Sequence, residues 1–293
     1  MNDVKGARPK VSVIIPTYNR AGLVGHTIQS VREQTFEGWE LIVVDDASED
    51  NTRDVICSIG DSKVKYVRHE VNRGGSAARN TGIENANGRY VLMIDDDDLI
   101  KKNHLRTLVS GAKRMGKNWG VFYTGFILDR GFKKNKIYPK WKGYIKEKLL
   151  TEGSIGTTAV ALIEKKTLRR VGGFDENLPR HQDWDLYIRL AKKTKFYPLR
   201  SLTVIKRYTG KPSLEKVVRS KKYMREKFSD ELRNLRFIKR RKFYSRESLR
   251  LAQLNFGEGN YFVGIVRVIV SLAQYPFHLK QLVGTLYNAF LVK

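Results

Sequence analysis

The run Asp95-Asp96-Asp97-Asp98 is the densest concentration of chemistry in the chain: four consecutive carboxylates at the end of the apolar segment Tyr90-Val91-Leu92-Met93-Ile94. Adjacent like charges repel, and ordering four of them costs free energy unless a cation sits among them. In an extended chain alternate side chains share a face, so Asp95 and Asp97 are expected to point one way and Asp96 and Asp98 the other. Hard oxygen donors of this kind suit Mg2+ or Mn2+. These ions keep several waters and bind through one or two carboxylates together with substrate phosphates, so the expected ligand is a phosphate ester or a diphosphate. The competing structural reading makes Asp98 the N-cap of a helix beginning near Leu99 and the rest a solvated turn.

The elements that must carry these residues alternate. Short β-rich runs at Val11 to Pro16, Glu40 to Asp45, Val64 to His69 and Tyr90 to Ile94 are separated by helix-like segments near Leu23 to Gln34, Thr52 to Ile59 and Ser76 to Ala86. This pattern predicts an α/β fold with a mostly parallel sheet, in which ligands bind beyond the carboxyl ends of the strands. The polar residues gather at those ends: Pro16-Thr17-Tyr18-Asn19 after the first strand, Asp45-Asp46 after the second, Asn72 to Gly75 after the third, and the aspartates after the fourth. Four loops therefore converge on one crevice. Beyond Asp98 the chain predicts a helix near His104 to Arg114 and β-rich runs at Val121 to Leu128 and Thr158 to Ile163. A turn then leads into a helix with apolar positions at Leu186 and Leu190, and Asp183 lies near its start.

At 293 residues the chain can bury a sizeable core. Its formal charge of +26 favours anionic partners: nucleic acid, acidic lipid headgroups or phosphorylated substrates. The single cysteine, Cys57, excludes an intramolecular disulfide and a cysteine-based metal cluster, and packing is its expected role. Met1 to Lys10 is short and polar, without the pattern of a signal peptide, so the catalytic region is expected to face the cytoplasm. From Ser213 the composition is helical and strongly basic, with 14 Lys or Arg against 4 Asp or Glu between residues 216 and 250. Tyr261 to Ala273 is apolar but interrupted by Arg267, and is shorter than the roughly 20 residues a spanning helix needs.

Taken together, these residues resemble the family 2 glycosyltransferases, inverting enzymes of the GT-A fold. Val11-Ser12-Val13-Ile14-Ile15-Pro16-Thr17-Tyr18-Asn19-Arg20 is similar to the first strand and loop of that family, and Val43-Val44-Asp45-Asp46-Ala47-Ser48 to its second. Asn72-Arg73-Gly74-Gly75-Ser76-Ala77-Ala78-Arg79-Asn80 is similar to the segment after the third strand, and Ile94-Asp95-Asp96-Asp97-Asp98 to the D-x-D signature. The resemblance covers residues 10 to 205. It implies a catalytic domain at 10–210, with a nucleotide-binding half at about 10–98 and an acceptor half at about 99–210, followed by a basic helical region at 211–293.

The resemblance also implies roles. Donor-binding residues would be Pro16, Thr17, Tyr18, Asp46, Gly75, Arg79, Asp95 and Asp96. Tyr18 would stack on the nucleobase, Asp46 would accept from a base N–H, Asp95 would meet the ribose or sugar, and Arg79, with Arg73, would support the nucleotide or its acidic neighbours. Asp97 would bind the Mn2+ or Mg2+ that bridges the diphosphate. Inversion in one displacement needs a base opposite the leaving group, and Asp183 is the candidate. The family usually carries Glu-Asp at this helix start, whereas this chain has Gln182-Asp183, which leaves one carboxylate there. Asp185 is the rival base, although its spacing to Arg189 suits an i,i+4 ion pair. Trp184 fits an acceptor wall or the core. For His181 a solvent-facing position is preferred over a metal ligand.

The expected activity is sugar transfer from a nucleotide-diphospho-sugar donor to a hydroxyl of a glycan or lipid-linked acceptor, in the assembly of a cell-surface polysaccharide, glycolipid or glycoprotein glycan. A polyprenyl-phosphate glycosyl synthase is the alternative within the enzyme class. Outside it stands a nucleic-acid-binding protein using Lys239-Arg240-Arg241-Lys242 with Phe237, Phe243 and Tyr244, a reading that no recognised nucleic-acid motif supports. An anionic membrane surface explains the same charge better if the acceptor is lipid-linked. Tyr261 to Ala273, followed by Tyr275-Pro276-Phe277, would then lie in the interface or close as a helical hairpin on the catalytic domain.

Overall fold

Four parallel strands come first, because their sequences leave them little choice. Val11 to Ile15, Leu41 to Val44 and Val91 to Ile94 are nearly continuous apolar runs, buried on both faces, as strands covered by helices on two sides must be. The computed structural model describes residues 10–115, 118–207 and 213–276. The polar segment ahead of the first strand, apart from Lys10, and Phe277 lie outside these residues. The chain forms two compact units.

The first unit comprises residues 1–146, 154–177 and 182–210. Its nucleotide-binding half runs β1 (Val11–Thr17), α1 (Ala21–Arg32), β2 (Trp39–Asp45), α2 (Thr52–Cys57), β3 (Val64–Arg68), α3 (Gly75–Asn85) and β4 (Tyr90–Met93). β2 and β4 flank β1, and β3 lies outside β2, all parallel. Thr17 pairs with Asp45 at the last position of both strands, so Asp46 emerges beside the end of β1. The Ile94 amide still donates to the Ile14 carbonyl at 2.9 Å, which starts the aspartate run alongside the same end. Gly82 in α3 lets the helix lie against β1, since a Cβ there would fall 2.3 Å from the Ile14 side chain.

The chain continues through β5 (Leu99–Ile100), α4 (His104–Arg114), β6 (Trp119–Asp129) and β7 (Lys134–Ile137) to α5 (Lys146–Glu152). After a 3-10 turn at Thr158–Val160 come β8 (Ala161–Glu164), α6 (Lys165–Arg170), α7 (Gln182–Ala191) and β9 (Lys195–Arg207). Among the described residues the sheet order is β3-β2-β1-β4-β8-β6-β9-β5, with β7 on β6. Beyond β4 the pairing is mixed: β8 is antiparallel to β4 and β6, while β9 runs parallel to β6.

Two local expectations are corrected. Leu99 and Ile100 form a strand against β9 rather than opening a helix, so Asp98 caps nothing; the next helix begins at His104. The run expected from Thr158 becomes a 3-10 turn up to Val160 and a strand only from Ala161.

The second unit holds residues 147–153, 178–181 and 211–293. It comprises most of α5 together with α8 (Leu214–Lys227), α9 (Ser229–Arg233), α10 (Phe237–Gly257) and α11 (Tyr261–Gln274). Ser213 caps α8 by accepting from the Lys216 amide. α10 and α11 form a hairpin around Leu249, Ala252, Phe256 and Val268, with Leu272 against them, so Tyr261 to Ala273 is helical and packs on α10. Among the described residues no helix is long and apolar enough to cross a membrane.

Candidate active site

The four loops expected at the carboxyl end of the sheet are tied to one another by side chains. Asp46 is buried, and its carboxylate accepts from the Arg73 amide at 2.9 Å and the Gly74 amide at 2.6 Å, while His69 Nδ1 lies 2.7 Å from it. The loop after β2 thereby fixes the loop that opens α3. Gly74 has φ of 87°, which side-chain-bearing residues rarely adopt, and it sets the N-terminus of α3 with Gly75 as its first residue. A carboxylate offers about four lone-pair directions, so one remains on Asp46. Asp45, one residue earlier, is taken up by structure: it accepts from Tyr66 Oη at 2.6 Å, Arg68 at 3.1 Å and the Ser48 amide at 2.8 Å.

Backbone strain marks the same rim. Among the described residues other than glycine, positive φ occurs only at Asn19 (51°), Ala47 (67°) and His181 (63°). Each adjoins a candidate residue: Tyr18, Asp46 and the pair Gln182-Asp183. A left-handed residue with a Cβ costs roughly 1–2 kcal/mol, and such costs gather where a site needs a particular backbone path. Tyr18 is 43% exposed, with its ring open to solvent. Pro16 and Thr17 close β1, both buried, and the Thr17 hydroxyl donates to Asp96 at 2.8 Å.

The aspartates do not alternate across a strand. β4 ends at Met93, and the Asp98 amide donates to the Asp95 carbonyl at 3.0 Å, closing a turn. The turn brings Asp95 and Asp98 to the same cation: Lys206 Nζ from β9 lies 3.6 Å from Asp95 and 3.4 Å from Asp98. Asp95 also takes a 2.6 Å ion pair from Arg79. Burial disfavours its charge, but Arg79 and Lys206 outweigh that and hold its pKa below the ordinary value. Asp96 is pushed up to about 6, chiefly by burial. Asp98, fully buried, is pushed up to about 7 by burial and then by the charge of Asp95, although Thr157 donates to it at 3.0 Å.

Arg79 joins this cluster to α7. One guanidinium nitrogen meets Asp95, and the other donates to Gln182 Oε1 at 3.1 Å. Gln182 is the residue where the family usually has Glu, and its neutral carbonyl is enough to accept from Arg79. Asp183 follows in the first turn of α7, partly buried, with Ser154 Oγ at 3.3 Å. Burial, with the charge of Asp95 behind it, raises its pKa. A carboxylate so placed is a stronger base than an exposed one. Asp185 is buried and paired with Arg189 at 2.6 Å, the i,i+4 partner its spacing suggested. Trp184 is half-buried. His181 departs from expectation: it is half-buried rather than solvent-facing, and burial together with Lys221, Arg180 and Arg250 lowers its pKa to about 3, which keeps it neutral.

For a divalent cation the donor chemistry fits. Asp98 Oδ1 is buried without a hydrogen-bond partner among the described residues, and the raised pKa values of Asp96 and Asp98 mark negative charge short of compensation. Among the described residues no three His, Cys, Asp or Glu side chains surround one point. A cation here would be held by one or two carboxylates and completed by phosphate oxygens and water, the manner of Mg2+.

Three participants escaped sequence reasoning. Lys206 is one of 56 Lys or Arg residues and had no spacing to distinguish it. His69 and Thr157 act across loops, and only the pairing of strands brings them to Asp46 and Asp98.

Comparison with known proteins bears on the family and the fold. The model of Glycosyl transferase family 2 matches residues 12–172. A UDP-Glc:alpha-D-GlcNAc-diphosphoundecaprenol beta-1,3-glucosyltransferase, WfgD, of Escherichia coli is 32% identical over 62% of this chain and 70% of its own length. The putative teichuronic acid biosynthesis glycosyltransferase TuaG of Bacillus subtilis is 38% identical over 41% of this chain and 48% of its own. The match to an uncharacterized glycosyltransferase of Rickettsia felis, 31% identical over 71% of this chain, takes in only 36% of that protein. In solved structures the fold is similar to mannosyltransferase PcManGT from Pyrobaculum calidifontis in complex with GDP-Man and Mn2+ (TM-score 0.60, 17% identity, 94% of this chain and 76% of the other). It is also similar to S. aureus TarS 1-349 in complex with UDP-GlcNAc (TM-score 0.59, 16% identity, 89% of each). With its family match spanning more than half the sequence and its fold that of the GT-A enzymes, the chain belongs to glycosyltransferase family 2 and is a glycosyltransferase.

Proposed function

We propose that the protein transfers a sugar, with inversion, from a nucleotide-diphosphate donor to a hydroxyl of a lipid-linked glycan during cell-surface polysaccharide assembly, at the cytoplasmic face of a membrane. The observation that carries the reading is the Arg79 bridge, at 2.6 Å to Asp95 and 3.1 Å to Gln182, which sets the aspartate turn next to the helix start that bears Asp183. The donor side has what a nucleotide needs. The exposed Tyr18 ring offers a stacking face, Asp46 keeps one acceptor direction, and the amides that open α3 at Gly75 suit a diphosphate. Asp95 and Asp96 would meet the sugar and ribose. A divalent cation on Asp97, Mn2+ or Mg2+, would stabilise charge as the diphosphate leaves. Asp183 takes the acceptor proton onto its carboxylate, and its desolvated position makes that transfer favourable.

The choice of acceptor rests on relatives. WfgD acts on a diphosphoundecaprenol-linked sugar, TuaG is assigned to teichuronic acid, and WcaA of Escherichia coli, 27% identical over 62% of this chain, to colanic acid. The donor half is tested by thermal shift with UDP-, GDP- and dTDP-sugars, with and without Mn2+, on wild type and Asp97→Asn. One nucleotide class should raise the melting temperature in a metal-dependent way, because a ligand that binds only the native state stabilises it, and Asp97→Asn should abolish the effect. No shift with any donor, or an equal shift in the variant, contradicts the assignment.

A further inference from the structure

Helix α11 is almost entirely apolar, and among the described residues only one side of it is covered. Its 14 residues contain one charge, Arg267, and no acid. Gly264, Val268 and Ser271 face α10, where Ser271 meets Ser245 at 2.7 Å and Val268 joins the Phe256 cluster. The other side presents Phe262 (79% exposed), Val263, Ile265, Val266 and Ile269 (60% exposed) to solvent. Positions 262, 265, 266 and 269 have the i, i+3, i+4, i+7 spacing of a single helix face. A helix hydrophobic all round belongs in an apolar environment, and a contiguous exposed apolar patch marks an interaction surface.

The surroundings of that face are basic. Residues 213–276 carry 15 Lys or Arg against 6 Asp or Glu. α10 and α11 are antiparallel, and Arg241 donates to the Ala273 carbonyl, so the cluster Lys239-Arg240-Arg241-Lys242 stands at the C-terminal end of α11. Phe237 and Ile238, 62% and 66% exposed, precede that cluster in the first turn of α10. At about 1.5 Å per residue, 14 residues give about 21 Å, shorter than the roughly 30 Å of bilayer hydrocarbon, so such a helix lies in an interface and does not span it.

We infer that the exposed face of α11, flanked by the basic start of α10, is a monotopic docking surface that inserts shallowly into an anionic lipid bilayer. Charge complementarity selects this occupant. A second copy seated on the same face would bring two strongly basic helical units together, and a nucleic acid would leave the apolar row exposed. A helix lying in the interface with an exposed apolar face and basic flanks buries that face about 5–10 Å into the headgroup–acyl boundary. The inference deepens the proposed lipid-linked acceptor and rests on it only for its purpose, since docking requires neither donor nor acceptor.

The full chain is tested by flotation with phosphatidylcholine vesicles, with and without phosphatidylglycerol. Binding should require the anionic lipid, and the pair Phe262→Ser and Ile269→Ser should weaken it by about tenfold or more, while transfer to a short soluble acceptor persists. A second readout avoids dependence on the folding of that pair. In Phe262→Trp, the added indole fluorescence should be quenched by lipids brominated on their acyl chains. Three results would each overturn the inference: wild type that fails to bind anionic vesicles, undiminished binding by the double variant, or indole fluorescence blind to brominated lipid because a second copy or residues 277–293 cover the face. Since flotation is read without any sugar donor, its failure is separable from failure of the transferase reading.

Discussion

Asp183 stands at the start of α7, where burial raises its pKa and the neighbouring Asp95 charge adds to the effect. The sign for catalysis follows. A base must be ionised before it takes a proton, so activity is lost as pH falls through its pKa, and a raised pKa moves that loss upward. The kcat/KM profile should therefore fall on acidification beginning above the 3.9 or so of an ordinary Asp. A profile flat through the region just above that value would mean that Asp183 is not the base. The carboxylates themselves were legible as chemistry because four in a row have no folding rationale. Their arrangement was not, because alternation holds only in a strand, and β4 ends at Met93. The turn that follows makes partners of Asp95 and Asp98 through Lys206, a residue with no local signature.

At the scale of elements, the parallel strands could be read from continuous apolar runs punctuated by polar loops, and their ends were right to within about a residue. β9 could not. Its sequence, Lys195–Arg207, contains Pro198, Arg200 and Ser201, which break any period-two pattern. Tertiary pairing with β6 overrides that, with irregular register on either side of Gly125. The loops were legible as ligand-binding by position, but the tie between two of them was not. Asp46, offered by resemblance as a contact to the base, also anchors two backbone amides and His69. Asp46→Ala should lower unfolding free energy by about 1–3 kcal/mol, the cost of stranding buried donors, and raise the KM for donor as the loop before α3 loosens. Denaturant unfolding beside donor-saturation kinetics measures both. Unchanged stability would mean that the loop holds itself.

Across the whole molecule, the first unit carries the site, with its core in β1, β2 and β4 and its candidate chemistry at the carboxyl ends of those strands. The second unit is helical and basic, with an apolar helix that the other described residues cover only in part. Composition announced the charge of that unit and the apolar character of Tyr261 to Ala273. Which side of α11 stays bare depended on the contact with α10, and in particular on Gly264, where a Cβ would fall 2.3 Å from the Phe256 ring.

In the proposed reaction this chain moves a sugar by a single displacement in which Asp183 accepts the proton. NMR assignment of the anomeric configuration of the sugar transferred to a lipid-diphosphate-linked acceptor, with wild type and with Asp183→Asn, decides this step. The product should be inverted relative to the donor, and the variant should lose kcat by roughly 10²- to 10⁴-fold with donor binding preserved. A product of retained configuration, or an Asp183→Asn enzyme that turns over at the wild-type rate, would contradict it.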